Sequence, residues 1–477
     1  MPGNTFGLFI IQRFFKIYSL QKTPGLRFLS LIIIVASFGG LLFGFDMAVI
    51  SGVIPFVEKQ FNLTAAEVGF FVSSALAGCV AGVALAGPLS DKIGRKIPLV
   101  MAAILFLLSA IGCSLLNNFT WLIMARITGG VGVGIASIVV PLYISEIAPA
   151  KIRGRLVTCF QLAITVGILV AYLTNAFLLN YANSHQGIQT GQLHDLIFVN
   201  EVWRGMFSIE ILPALIFLTG LIFIPESPRW LIMKGRPNEA KLILNKINYG
   251  NEGIDLTQSS SLKSEKGSYK DLFSKRFRRA LIIGILLPLF SQFSGINAII
   301  YYGPSILTSA GVDVSDSFLS QVILGAANLV FTFVAIWKVD ELGRRPLYIV
   351  GTIGAAISLF ITGLLFYMGY TSSILLLLCV LLFLACFAFS IGPLKFVVAS
   401  EIFPASIRGR GMAVSVMVMW VADTIMGQLT PMLLREFGTA STFFIFSVFC
   451  LVAFITVYKL LPETKGKSLE EIESSWK

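Results

Sequence analysis

The chain has little charge. Asp, Glu, Lys and Arg together make up 13% of its 477 residues, against roughly 25% in a soluble globular domain. It has two histidines, His185 and His194, both in one polar loop, so a histidine metal cluster is not expected. The six cysteines, at 79, 113, 159, 379, 386 and 450, all sit in apolar runs. None has metal-ligand spacing and no CxxC occurs, so they read as small buried hydrophobes. HExxH and GxSxG are absent. Gly466-Lys467-Ser468 lacks the upstream glycine of a phosphate loop. The glycine run Gly129–Gly134 lies in an apolar run with no strand before it, so it fits close helix packing and not nucleotide binding. These absences exclude a soluble enzyme; no cofactor and no metal are expected.

What is abundant is apolar sequence. Hydrophobic residues make up 56% and the mean hydropathy is +0.85. Runs of ~20 apolar residues recur, each long enough to cross a hydrocarbon core of about 30 Å. Twelve spans are expected: 28–54, 66–88, 97–117, 120–144, 155–179, 203–224, 279–309, 317–338, 346–369, 373–400, 409–434 and 439–461. The fold class is an all-α polytopic membrane protein. Residues 1–27 form an N-terminal tail and 28–224 a first six-helix bundle. A polar linker with helices of its own occupies 225–278. A second six-helix bundle fills 279–461, and a C-terminal tail 462–477. Thr64-Ala-Ala-Glu67 is a capping box opening the second span.

The net charge of +11 comes from lysines and arginines in alternate links. Both tails and the 2–3, 4–5, 6–7, 8–9 and 10–11 links are basic, so both termini and the linker are expected in the cytoplasm. This distribution explains the basic balance without nucleic acid. A multi-pass protein of a bacterial inner membrane is the expected setting, working as a monomer in the lipid bilayer.

The chain repeats itself. SEIAPAKIRGR at Ser145–Arg155 returns as SEIFPASIRGR at Ser400–Arg410, 255 residues on, and Asp91-Lys-Ile-Gly94-Arg95-Lys96 returns as Asp340-Glu-Leu-Gly343-Arg344-Arg345, 249 residues on. Two motifs recurring at nearly one spacing mark two similar halves, an arrangement of transporters. Each half carries a set of opposite charges at cytoplasmic span ends. Asp91, Arg95, Glu146, Arg153 and Arg155 make one set; Asp340, Arg344, Arg345, Glu401, Arg408 and Arg410 make the other. Topology anchoring needs only the cations. The matching acids suggest ion pairs that latch the halves together on that side and break as the halves rock.

Charges inside spans are costly and point to function. Asp46, Arg126 and Glu210 are placed to share one level in the outer half of the first bundle. They read as a structural ion pair or, more sharply, as a titrating carboxylate, since burial and a nearby Arg act on its proton affinity in opposite senses. Lys395 and Asp423 are further charges inside spans. The seventh span holds Gln292, Asn297, Tyr301 and Tyr302 beside Gly295 and Pro304, a broken helix able to face a cavity. Gln161 and Asn328 add amides, and Phe396 and Trp420 add aromatic faces. Amides both donate and accept, which suits a polyhydroxyl ligand; each amide alone also serves as helix–helix glue.

These motifs resemble the sugar porter family of the major facilitator superfamily. The likeness runs from GGLLFGFDMAVISG (39–52) through DKIGRK, RITGGVGVG, PLYISEIAPAKIRGR, PESPRWL, SGINAIIYY, DELGRRP and SEIFPASIRGR to PETKG. It implies the major facilitator fold, a central sugar site and alternating access. The first half is particularly similar to bacterial xylose–proton symporters: Asp46 and Arg126 match the proton-coupling pair, and Glu210 matches an acid of that branch. Gln161, Gln292, Asn297, Tyr301, Tyr302, Asn328, Gly392 and Trp420 match the family's substrate site. Ser291 stands where a second glutamine is usual, Ile168 replaces a glutamine and Phe396 a tryptophan. Met419 and Asp423 replace amides, and Lys395 is unexpected. The resemblance implies proton-coupled symport of a monosaccharide or related polyol, with the proton as coupling ion. The alternatives are a facilitative uniporter and a non-transporting sugar sensor; the short C-terminal tail disfavours the sensor.

Overall fold

A hydrocarbon environment leaves backbone amides and carbonyls no solvent partner, so apolar runs close their hydrogen bonds within helices. The structure, a computed structural model of the chain, describes residues 24–149, 152–187, 191–247, 269–274, 277–309, 311–370, 373–403 and 407–463. Among these, all regular structure is helical. Twelve helices are long and apolar enough to cross a membrane. They are Gly25–Phe61, Ala65–Ile93, Lys96–Leu115, Phe119–Ile147, Arg153–Ser184, Val202–Phe223, Arg278–Thr308, Val314–Ala335, Arg344–Tyr367, Ile374–Ala399, Gly409–Glu436 and Gly438–Leu460. They are called the first to twelfth spans below. The linker carries the helices Pro228–Met233, Pro237–Ile247 and Tyr269–Leu272. Residues 1–23 and 464–477 of the tails lie outside the described residues, as do 248–268 and 275–276 of the linker.

The expected capping box is present: Thr64 Oγ1 accepts from the Glu67 amide, and the Glu67 carboxylate accepts from the Thr64 amide. Three spans depart from simple rods. The seventh divides as expected, into Arg278–Phe293 and Ile296–Ser309. Gly295 between them has φ +83°, a conformation that disfavours a side chain. The sixth, expected to be continuous, divides into Val202–Ser208 and Ile211–Phe223, with Glu210 at the break. The tenth contains a π-helical turn, Phe387–Ile391, leading into Gly392; π-turns of this kind often mark functional sites. A proline stands just beyond each of these last two features, Pro213 and Pro393; it cannot donate to the carbonyl four residues back, which lies in the break or in the π-turn.

The glycines of the second and fourth spans bring those helices into backbone contact. A Cβ at Gly130 would lie 1.9 Å from the Ala75 carbonyl oxygen, and one at Gly82 2.3 Å from that of Val131. The glycine run is therefore a packing surface, as its position in an apolar span predicts. The two halves meet at the end away from the repeated motifs. There Gln428 Nε2 donates to the Ala66 carbonyl (2.9 Å), Ser73 Oγ donates to Gln428 Oε1 (2.8 Å) and Tyr172 Oη donates to the Ile300 carbonyl (3.2 Å).

Candidate functional site

A cavity of about 200 Å³ lies between the halves. The first and fifth spans supply Phe43, Gln161 and Ile168 to its wall. The seventh supplies Gln292, Asn297 and Tyr301; the eighth, Asn328; the tenth, Gly392 and Lys395; the eleventh, Met419, Trp420 and Asp423. The break at Gly295 turns the second piece of the seventh span so that its polar residues face this space. The π-turn in the tenth precedes Gly392 and Lys395.

Most sequence-derived candidates thus gather at one place: Gln161, Gln292, Asn297, Tyr301, Asn328, Gly392 and Trp420 all line the cavity. Tyr302 does not. It is buried and its hydroxyl donates to the Gly427 carbonyl at 2.7 Å. Consecutive helical residues point about 100° apart, so Tyr301 takes the cavity and Tyr302 braces the seventh span against the eleventh. The Phe396 side chain lies outside the described residues.

The polar groups in the wall bind one another. Asn297 Nδ2 donates to Gln292 Oε1 (3.0 Å) and to Asp423 Oδ1 (2.6 Å), while Tyr301 Oη contacts Asp423 Oδ2 (3.3 Å) and Met47 Sδ (3.5 Å). Lys395 Nζ donates to Ser291 Oγ at 2.9 Å. Lys395 is 8% exposed and Asp423 3%, so neither reaches out to bulk water. The position of Lys395 near its span end suggests snorkelling; the structure places it in the cavity wall instead, anchored on Ser291. The phenyl ring of Phe43 packs against Trp420, with centroids 5.4 Å apart, across the two halves.

A second group of charges lies inside the first bundle. Arg126 Nη1 donates to Asp46 Oδ1 at 2.5 Å, and the guanidinium stands 5.5 Å from the centre of the Phe207 ring. Asp46, Arg126 and Glu210 are all buried. Glu210 is close enough to feel the charges of both partners. Neither of its carboxyl oxygens has a hydrogen-bond partner among the described residues, and the same is true of Asp46 Oδ2. Asp46 and Arg126 meet, as their depths in the sequence predict. The pair offers one carboxylate whose charge is compensated by one neighbour, the minimum arrangement for a buried proton switch.

The repeated motifs form two similar clusters at the other end. Arg95 makes a two-pronged contact with Glu146 (2.9 Å on each prong) and a longer one with Asp91 (3.5 Å). Arg344 reaches Glu401 at 3.1 Å. These pairs close within one half each: the two motifs of a half are carried by neighbouring spans of that half. Arg153 and Arg155 are exposed and form no ion pair among the described residues. Arg410 is half-buried, and the side chains of Asp340 and Arg408 lie outside the described residues. Arg345 Nη2 donates to the Tyr458 carbonyl at 2.8 Å.

Two acids not singled out from sequence complete these clusters. Glu226 accepts from the backbone amides of Arg95 (2.9 Å) and Lys96 (3.2 Å). Glu463 accepts in the same way from Arg344 and Arg345 (both 3.1 Å). Each carboxylate sits on the positive N-terminal end of a span. The signal was in the sequence: Pro225-Glu-Ser and Pro462-Glu-Thr end the two halves alike.

Comparison with known proteins agrees with this architecture. A family model described as "Sugar (and other) transporter" matches residues 32–476. An arabinose-proton symporter of Bacillus subtilis is 39% identical over 460 residues, covering 96% of this chain and 97% of the relative. A D-xylose-proton symporter of Escherichia coli is 37% identical over 479 residues, covering 93% and 95%. Among solved structures, the xylose transporter XylE from E. coli, described as a partially occluded inward open conformation, superposes with a TM-score of 0.79 at 36% identity, covering 93% of this chain and all of that one. With twelve spans in two halves around a polar cavity, and with relatives of this likeness over nearly the whole length, the chain belongs to the sugar transporter family of the major facilitator superfamily.

Proposed function

We propose that this protein carries a monosaccharide or closely related polyol across a membrane together with protons, by alternating access between its two bundles. The observation that carries this reading is the buried Asp46–Arg126 pair, 2.5 Å apart, standing outside the cavity but tied to it. Met47, next to Asp46, touches Tyr301, and Tyr301 contacts Asp423 in the cavity wall. In a low-dielectric site an ion pair is tolerable only while both charges are present. A proton arriving on Asp46 leaves Arg126 uncompensated, with Glu210 as the nearest further acid. That charge change biases a two-state structure, and the contact through Met47 and Tyr301 offers a path by which occupancy of the cavity biases the same two states.

The orientation follows from the basic links. The motif end faces the cytoplasm with both termini, in the inner membrane of a bacterium. The halves are in contact at the opposite end, so this conformation is inward-facing, in keeping with the inward open relative. The cavity is built within one chain, which fits function as a monomer.

The test is uptake into proteoliposomes holding the purified protein, across pentoses, hexoses, inositols and sugar acids. Uphill accumulation driven by a pH gradient, with sugar-induced alkalinisation outside, is the expected result. Downhill movement indifferent to pH would establish a uniporter. Binding without any flux would establish a sensor.

A further inference from the structure

The cavity wall is uneven. Both of its charges and three of its four amides come from the second half: Lys395, Asp423, Gln292, Asn297 and Asn328. The charges of Lys395 and Asp423 act on each other, so this side suits the hydroxyls of a neutral ligand. The first half offers mainly hydrocarbon. Phe160, Ile164 and Ile168 stand four residues apart along the fifth span and form one stripe. Phe43 of the first span adjoins it, its ring centre 6.4 Å from that of Phe160. The two spans cross closely: a Cβ at Gly44 would lie 2.0 Å from the Ile164 carbonyl oxygen. Two hydroxyls border the stripe, and each donates to its own helix. Thr165 Oγ1 reaches the Leu162 carbonyl and Ser137 Oγ the Gly134 carbonyl, both at 2.8 Å. Gln161 is the amide of this side. It precedes Ile168 by seven residues, about 10 Å along a helix axis, so the Ile168 end of the wall is left to hydrocarbon.

We propose that the preferred substrate is a neutral 6-deoxyhexose, a sugar with a methyl in place of the hydroxymethyl group, whose hydroxyls face the second half and whose methyl lies on Ile164 and Ile168. This rests on the reading of the cavity as a sugar site and specifies its substrate class. Flat rings such as Phe43 and Trp420 receive the C–H face of a sugar ring, whereas branched aliphatic side chains pack around a methyl. A hexose would set its primary hydroxyl against the isoleucines, where it loses water without gaining a partner. A pentose lacks that carbon and leaves a gap, which forfeits the contacts of the atoms around it. A sugar acid or sugar phosphate brings charge to a wall whose own charges offset each other.

Calorimetric titration of the purified full-length protein tests this with two matched series: D-galactose, D-fucose and L-arabinose, and D-glucose, 6-deoxy-D-glucose and D-xylose. Within a series the members differ only in carrying a hydroxymethyl, a methyl or a hydrogen at one carbon. In at least one series the 6-deoxy sugar is expected to bind about tenfold more tightly than the hexose, whose hydroxyl is buried unsatisfied. It is expected to bind about fourfold more tightly than the pentose, the worth of one buried methyl. In Ile168→Gln, where an amide can serve the hydroxyl, the ratio of hexose to 6-deoxy dissociation constants is expected to fall to about one. Ile168→Leu is expected to keep it. The wild-type comparison decides by itself if a variant fails to fold. Hexoses or pentoses binding as well as or better than the 6-deoxy sugar in both series would overturn the proposal and leave sugar symport standing. A preference that survives Ile168→Gln would also overturn it. Binding of no sugar in either series would overturn the sugar site and the proposal together.

Discussion

Asn297 shows how much one amide can hold. Its Nδ2 links Gln292 and Asp423, so Asn297→Ala removes a donor from a buried carboxylate as well as a ligand contact. Leaving a buried partner unsatisfied costs about 1–3 kcal/mol, so substrate affinity is expected to fall about tenfold or more with the protein still folded. Gln292→Ala is expected to weaken binding by less, since Asp423 keeps both its donors. Equilibrium binding on the two variants checks the order, and equal affinity to wild type in both would remove this network from the site. Asp46→Asn mimics a permanently protonated acid. It is expected to abolish uphill uptake and proton movement while keeping substrate binding and downhill exchange. Arg126→Ala is expected to be worse, because Asp46 then has no compensating charge. An Asp46→Asn protein that still concentrates substrate from a pH gradient would refute the coupling assignment.

At the level of elements, the second and fourth spans meet through glycines with no space to spare. Gly130→Ala places a methyl against the Ala75 carbonyl. Forcing atoms into a packed interface costs typically about 1–3 kcal/mol, so a lower unfolding temperature is expected. Gly87→Ala in the second span meets nothing and is the control; comparable thermal stability in the two variants would mean that this crossing relaxes freely. The motif clusters belong to this scale too. Because Arg95–Glu146 and Arg344–Glu401 each close within one half, they brace the ends of neighbouring spans. Glu401→Gln is therefore expected to loosen the end of its own bundle, seen as faster amide exchange in the eighth to tenth spans. The capping box and the packing role of the glycine run were legible because each is local. The sixth-span break and the π-turn of the tenth each precede a proline, Pro213 and Pro393, which marks a lost backbone hydrogen bond but not whether the helix breaks or takes up a π-turn there.

For the whole molecule the balance between states rests on contacts at the end where the halves now meet. Gln428 bonds to Ala66 and Ser73 of the opposite half. Losing roughly 1 kcal/mol there shifts a two-state population about fivefold. Gln428→Ala is thus expected to increase labelling, from the outer side, of a Val72→Cys reporter, whose side chain faces Gly427 of the opposite half, and unchanged labelling would place the balance elsewhere. The sequence alone determined the twelve spans, the two halves and the shared depth of Asp46 and Arg126. Lipid allows few ways to satisfy a backbone, and span length and charge position are readable in one dimension. Packing decided what each side chain faces. One residue of helical rotation sends Tyr301 to the cavity and Tyr302 to the eleventh span. The meeting of Lys395 with Ser291, 104 residues apart, and of Asp423 with Asn297, 126 apart, depends on how helices lie against one another. No local pattern encodes that, because these contacts exist only once the spans are assembled.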